Sequence, residues 1–337
     1  SANPAPQVRL DKALAILNKD APSRIESFEF QHIAAGDVLA AQIVDRNEWV
    51  LSQIQPARTT AISSTPRAPT YEFSKVDNDS AKLKRDSKNY YVEPGLDYFQ
   101  HLGGPDGFVL YQVSASLAFG LKAPNDYQMK GMIRHNLINN YYRFKYDAPS
   151  NLPRVRTNIR SYFTTSDNTL SNLSIYKTNR LSQNLYGAVY GGYFEEMFGG
   201  IGGELLFREP GSRWAVGANL NEVKQRNFAQ DLGFQSYKIR TGHLTGHWMT
   251  PLEGVQASLA VGQYLAGDKG ATLSATKVFT NGSTMGAYIT KTNLSAQQYG
   301  EGSYDKGIFW SLPFDALLTK STRYHANFMW QPLDRKS

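Results

Sequence analysis

The 337 residues contain no cysteine, which excludes disulfides, thiol nucleophiles and Cys-ligated zinc. The six histidines are scattered. No apolar run approaches the ~18 to 20 residues that a membrane helix needs, and the mean hydropathy of -0.44 agrees. Any residence in a membrane must therefore use strands. No Gly-rich phosphate loop lies between a strand and a helix, so nucleotide binding has no support. The opening residues, SANPAPQ, lack the charged and apolar regions of a secretory leader, as expected of a processed chain or a fragment.

What is present is 41% apolar composition, enough to bury a large surface, and a length compatible with two domains. Charge is uneven. Residues 1–100 hold 12 Lys+Arg and 13 Asp+Glu, whereas 101–337 hold 24 and 16, a balance of +8. The second part would attract polyanions such as acidic glycans, lipopolysaccharide or nucleic acid, or would simply be a solvated basic surface.

The stretch 254–290 organises the chain. Val255, Ala257, Leu259 and Val261 alternate with Gln256, Ser258, Ala260 and Gly262, and Leu273 and Ala275 alternate with Thr272, Ser274 and Thr276. A period of two with one apolar face predicts strands. Asn281-Gly282 marks a hairpin that can be read in two registers. A two-residue loop pairs Phe279 with Thr284 and mixes the faces. A three-residue loop, 280–282 with Gly282 left-handed, pairs Val278 with Thr284, Ala275 with Ala287 and Leu273 with Ile289. Each face then stays uniform, so we adopt the second register.

Upstream, near-helical apolar spacing predicts a short amphipathic helix over 8–18, followed by strands over 24–33 and 38–51. Residues 1–54 form the expected small helix-strand-strand unit, 55–100 a Pro/Ser/Thr-rich linker or extended arm, and 101–337 a β-domain. Strands are expected near 108–120, 130–138, 154–164, 170–178, 184–194, 202–209, 213–223, 237–248, 254–265, 270–279, 284–293, 305–312 and 321–330. Many strands joined by short turns mean a sandwich or a closed barrel. Strands of about 9 to 11 residues alternating polar and apolar side chains suit a bilayer crossing with a wet lumen. Tyr141, Tyr142, Phe144 and Tyr146, then Tyr190, Tyr193 and Phe194, then Phe309 and Trp310, then Phe328 and Trp330 are candidates for aromatic girdles or for ordinary core.

If 154–164 is a strand, Arg154, Arg156, Asn158 and Arg160 share a face. The arginines would avoid lipid, either pairing with barrel carboxylates or gripping an acidic sugar. His243 and His247, with Glu253 near, stand ~13 Å apart if four residues separate them along a strand, too far to share a metal. Asp268, Lys269, Glu301, Asp305 and Lys306 lie in Gly-flanked turns, where local hydrogen bonding competes with acid/base chemistry as the reading.

Six ordered blocks carry a resemblance: GGPDGFVLYQ (103–112), YDAPSNLPRVRT (146–157), GGYFEEMFGGIGGELLFR (191–208), WAVGANLNEVKQRNF (214–228), GQYLAGDKGAT (262–272) and GEGSYDKGIFWSLPF (300–314). Together they resemble the YjbH/GfcD family of exopolysaccharide-associated outer-membrane proteins. The resemblance implies a transmembrane antiparallel β-barrel of about 12 to 14 strands in a Gram-negative outer membrane, encoded with capsule or exopolysaccharide genes and working beside a secretion apparatus. It implies a periplasmic place for residues 1–54 and a correspondence to the C-terminal half of longer relatives. It supplies no catalytic residue, cofactor or metal. The ending HANFMWQPLDRKS lacks the terminal aromatic of barrel-assembly signals, and thirteen strands is an odd number, so further chain, a missed strand, or a strand supplied by another barrel half or by a separate chain of the same secretion system is expected.

The leading expectation is a non-enzymatic outer-membrane barrel that helps secrete or assemble an exopolysaccharide, with Arg154, Arg156 and Arg160 facing an anionic polymer. Outer-membrane lipid, lipopolysaccharide and the polymer are its expected partners, and nucleic acid is not. The alternatives are an outer-membrane enzyme acting on glycan or lipid, and a soluble carbohydrate-binding β-sandwich.

Overall fold

The computed structural model describes residues 6–34, 37–54, 89–104, 106–123, 127–145, 152–209, 212–279, 281–295, 304–314 and 325–330. The first unit comprises α1 (Pro6–Asp20), β1 (Ser27–Ala34), β2 (Asp37–Asp45) and α2 (Arg46–Ile54), with β1 and β2 antiparallel. Its core is Leu14, Phe28, Val44 and Trp49. The strand expected over 38–51 stops at Asp45, because the Asp45 carboxylate accepts the Glu48 amide at 2.9 Å and so caps α2. Trp49 then joins the core from a helix. Arg46 clamps the end of α1, donating to the Asn18 carbonyl at 2.8 Å and the Pro22 carbonyl at 2.8 Å. A guanidinium there satisfies carbonyls that the helix leaves unpaired.

The rest is one antiparallel meander. Its strands are β3 (Tyr90–Gly104), β4 (Gly107–Lys122), β5 (Tyr127–Asn139), β6 (Asn168–Arg180), β7 (Leu185–Tyr193), β8 (Phe198–Arg208), β9 (Trp214–Arg226), β10 (Phe234–Met249), β11 (Val255–Gln263), β12 (Lys269–Val278), β13 (Thr284–Thr292), β14 (Asp305–Pro313) and β15 (His325–Trp330). Among the described residues these thirteen strands pair in chain order, with β3 and β15 at the ends of the sheet.

Two expectations are corrected. Residues 154–164 are not a strand but an irregular segment leading into α3 (Ile159–Thr164). Val155, Ile159 and Tyr162 fall at helix-like spacing and pack on one cluster, and that burial overrides the strand alternation of the arginines. Conversely, β3 occupies part of the stretch expected to be a linker, and the sheet begins at Tyr90. Pro94 disguises it, since proline argues against a central strand; at the edge of the sheet that objection falls away.

The 279–283 turn follows the three-residue reading. Val278 pairs with Thr284, Ala275 with Ala287 and Leu273 with Ile289. Gly282 has φ +84°, and its amide donates to the Phe279 carbonyl at 3.0 Å. Residue 280 lies outside the described residues.

The sheet is curled. Phe163 on α3 packs with Phe99 on β3 at 5.9 Å between ring centroids, while the adjacent Tyr162 shares a cluster with Phe198 on β8 and Val223 on β9. In a flat sheet β3 and β9 would lie ~29 Å apart, at ~4.8 Å per strand. One short helix can touch both only if the strands wrap around it.

The hairpin makes the first prediction. Gly282→Val forces a β-branched side chain into a left-handed position, and we expect it to lower the free energy of unfolding by about 1 to 2 kcal/mol. A denaturant titration comparing midpoints with Asn281→Ala, which keeps Gly282, checks this.

Candidate functional site

Opposed residues of antiparallel strands project to the same face, so the register divides the sheet into two surfaces. On the outer one, Leu259 pairs with Leu273 and Leu273 with Ile289; these are 49%, 53% and 42% exposed. Val189, Ile201, Leu205, Val216, Leu220 and Leu244 continue this surface, and Leu220 is 66% exposed. The inner surface is polar. Ser258 and Ser274 hydroxyls meet at 2.7 Å, Thr272 and Thr290 hydroxyls at 2.7 Å, and the Tyr190 hydroxyl donates to Asn221 at 2.7 Å. Each side chain satisfies a neighbour across the strands, as a water-excluding or water-lined interior requires. Tyr190 lies over Gly202 on the adjacent strand, where a side chain would collide with its ring.

The segment between β5 and β6 lies against this inner surface. Tyr162, Met197, Phe198 and Val223 form one buried cluster, with Ile239 and Leu265 packed against it. Leu110, Tyr141 and Phe144 form a second, and Tyr141 stacks on Phe163 at 4.4 Å. Burial pushes the Tyr162 phenol up to about 12, against the opposing hydrogen bond from Gln225.

Arg226, with 0% exposure, holds the end of the sheet from which this segment arises. Its Nη1 donates to the Glu195 carbonyl at 2.7 Å and the Ser171 carbonyl at 3.1 Å. Its Nη2 donates to the carbonyls of Leu170 at 2.6 Å, Gln230 at 3.0 Å and Asp231 at 3.1 Å. Three acceptors for two hydrogens means that one bond is shared. The guanidinium also lies 4.8 Å from the centre of the Tyr193 ring. One cation thus joins the start of β6, the β7–β8 turn and the β9–β10 loop. The Arg226 carbonyl in turn accepts the Tyr162 hydroxyl at 2.7 Å, and Gln230, at φ +52°, donates its amide to the Tyr162 carbonyl at 2.7 Å. Nearby, Arg134 on β5 donates Nε to Asp97 on β3 at 2.7 Å and pairs with Glu196 in the β7–β8 turn, another link across the curl.

The predicted arginines do not share a strand face. Arg154 lies in the irregular stretch, its carbonyl accepting the Gln225 amide at 3.0 Å. Arg156 pairs with Glu195 at 2.7 Å and lies 5.7 Å from the centre of the Phe198 ring. Arg160 is on α3 and donates to the Phe144 carbonyl at 3.2 Å. All three belong to the segment tucked against the inner surface. His243 and His247 both project from the inner face of β10. Asp268 lies in the β11–β12 turn, Asp305 on the inner face of β14 and Lys306 on its outer face; Glu301 falls outside the described residues.

The aromatic groups divide. Trp310 stacks with Phe328 at 5.3 Å on the outer face, as Trp214 does with Trp248 at 5.3 Å and Tyr193 with Phe234 at 5.3 Å. Tyr141 and Phe144 are instead buried within the tucked segment, and Tyr190 and Phe309 face inward. Tyr146 falls outside the described residues. Sequence reasoning missed Arg226 and Arg134 because each satisfies partners 31 to 62 residues away, a relation without local periodicity.

Arg226→Met removes the donor from five carbonyls, and we expect it to destabilise the tucked segment by about 3 kcal/mol or more, seen as faster hydrogen exchange over 159–164. Tyr162→Phe should cost about 1 kcal/mol. The phenol's folded value is raised, so its stabilising contribution is complete below pH ~10 and is lost as pH rises through about 12. A difference absorbance titration of Tyr162→Phe against the parent should lose one late-ionising phenol.

Comparison with known proteins places the chain. A family model described as exopolysaccharide biosynthesis protein YbjH matches residues 3–337. The uncharacterized lipoprotein YjbH of Escherichia coli strain K12 is 42% identical over 255 residues, covering 73% of this chain and 36% of that protein. The chain thus spans about a third of that relative's length. Among solved structures, Pseudomonas aeruginosa OccK1 (OpdK) is 12% identical over 71% of this chain and 83% of its own, with a TM-score of 0.30. Given the match along nearly its whole length, the chain belongs to the YjbH family of exopolysaccharide biosynthesis proteins.

Proposed function

We propose that β3–β15 make up most of an outer-membrane β-barrel that helps secrete or assemble an exopolysaccharide, guiding the polymer without catalysing a reaction. One observation carries this reading: the exposed surface of the sheet is its apolar one. A run such as Leu259, Leu273 and Ile289 facing outward costs little in hydrocarbon. In water such a contiguous apolar surface is disfavoured, and on soluble monomers it marks an interaction site.

The lengths of the later strands agree, whereas β3, β4 and β10, of 15, 16 and 16 residues, run past the apolar span. β11, β13 and β14 have 9 residues and β12 has 10, within the ~9 to 11 of a tilted bilayer crossing. On β12 the apolar positions lie between Lys277 and Lys269, whose ammonium groups can reach the headgroups. Stacked Trp214/Trp248 and Trp310/Phe328 near one rim and Tyr193/Phe234 near the other match interfacial aromatic belts.

β3 enters at the rim that holds the connections 123–126, 181–184, 209–213, 250–254 and 279–283, of four or five residues each, and the longer 314–324, whereas the opposite rim carries the 28-residue excursion 140–167. Short turns face the periplasm in bacterial barrels, which supports a periplasmic place for residues 1–54. The E. coli relative is named a lipoprotein, which also fits a membrane setting. The tucked segment would then narrow the lumen from the opposite rim, with Arg154, Arg156 and Arg160 along the path of an anionic polymer and the neighbouring lipopolysaccharide outside. The odd number of described strands leaves room for a further strand or another barrel half.

Leu259→Arg and Leu273→Arg should each cost about 2 to 4 kcal/mol of insertion free energy. Ser258→Arg, directed to the lumen, should be tolerated. Fractionation and the mobility difference between unheated and boiled samples report the outcome, and a soluble, heat-insensitive parent protein contradicts the reading. Charge reversal at Arg154, Arg156 and Arg160 should reduce exported polysaccharide severalfold while leaving insertion intact; unchanged export removes these residues from the path.

A further inference from the structure

The inner surface carries a second feature near the short-turn rim, away from α3 and its arginines. Arg208 on β8 pairs with Ala215 on β9, Ala215 with His247 on β10, His247 with Ser258 on β11, and Ser258 with Ser274 on β12. These five side chains form one row across five strands. Ala215, Ser258 and Ser274 are small, and the space above them is a groove of about 320 Å³, also lined by Arg213 and Gln256. That volume lies at the lower end of the ~300 to 1,000 Å³ of small-molecule sites.

Its chemistry is one-sided. Arg208, Arg213, His247 and Gln256 are exposed to solvent, and the lining contains no aspartate or glutamate. Glu204, the inner-face carboxylate of β8, stands four residues from Arg208, ~13 Å along the strand. Among the described residues neither Arg208 nor Arg213 makes an ion pair, in contrast to Arg134 and Arg156. Beside the two guanidiniums, of which Arg208 lies 3.9 Å from the Met249 sulfur, the groove is lined by Ser212, Thr276, the Ser258 and Ser274 hydroxyls bonded to each other at 2.7 Å, the Gln256 carboxamide and the apolar Leu206 and Trp248.

We propose that this groove is a binding subsite for an acidic saccharide. A guanidinium recognises a sugar carboxylate through paired N–H donors, while the serine hydroxyls, Gln256 and His247 exchange hydrogen bonds with ring hydroxyls. An isolated phosphate would use the guanidiniums and leave Gln256 and His247 unengaged. The proposal rests on the reading of this surface as the wet interior of the barrel, and it names the class of sugar that interior would favour.

The test is calorimetric titration of the detergent-solubilised full chain with tri-galacturonate, with maltotriose and with inorganic phosphate at matched ionic strength. We expect saturable binding of tri-galacturonate, at least tenfold stronger than that of maltotriose. Arg208→Gln and Arg213→Gln should each weaken it at least tenfold. Lys269→Gln, which removes an outer-face charge near the other rim, should leave it unchanged. Equal binding of the neutral and acidic sugars, displacement of tri-galacturonate by equimolar phosphate, or indifference to both arginine substitutions would overturn the subsite. Each sample is also run unheated and boiled. Loss of binding in a protein that keeps its heat-dependent mobility counts against the groove alone, whereas a parent protein lacking that mobility counts against the membrane reading.

Discussion

Because opposed residues of an antiparallel pair share a face, the register Leu259–Leu273–Ile289 leaves the sheet little choice about what each side is made of. A slip of one residue anywhere along it would bring Ser258 or Ser274 to the outside and the leucines to the inside. The turn at Gly282 and the hydroxyl pairs on the inner face hold the register, and the apolar outer surface is its consequence. The separation of the sheet into an apolar and a polar surface follows from that ladder.

The long excursion between β5 and β6 has to be held against the inner surface at its rim. Arg226 holds it there. A buried guanidinium is tolerable only when its N–H groups are met, and here the acceptors are backbone carbonyls from three connections. They are brought together by the cation they surround, and its own carbonyl then fixes Tyr162. The opposite rim differs in kind. Its arginines are exposed and face an open groove, so the two ends of the interior have different electrostatic character.

Much of the β-sheet was legible because period-two alternation is local. Val255–Val261 and Leu273–Ile289 show it plainly, and the two registers of the hairpin could be separated by the uniformity of the faces alone. The failures have identifiable physical causes. β3 carries Pro94 and follows a polar stretch, so its alternation of Tyr90, Val92, Leu96 and Tyr98 is masked, yet an edge position accommodates the proline. The arginine stripe at 154–160 has the alternation of a strand and the fate of a loop, since Ile159 and Tyr162 gain more from burial against Phe198 and Val223 than a ladder would offer. Arg226 and Arg134 were invisible because their partners come from distant connections and strands, and the Arg208 groove because its row is drawn from five strands spread over residues 208–274.

The absence of cysteine permits a direct measurement of the central claim. Single substitutions Ser258→Cys, Leu259→Cys, Leu273→Cys and Ser274→Cys, each labelled with an environment-sensitive fluorophore in reconstituted liposomes, would report which face meets lipid. The account predicts that labels at 259 and 273 emit at shorter wavelength and are quenched by nitroxide-bearing lipid, while those at 258 and 274 are quenched by aqueous iodide. Labels at 259 and 273 that are shielded from lipid and iodide alike would place the leucines in a dry protein core and contradict it.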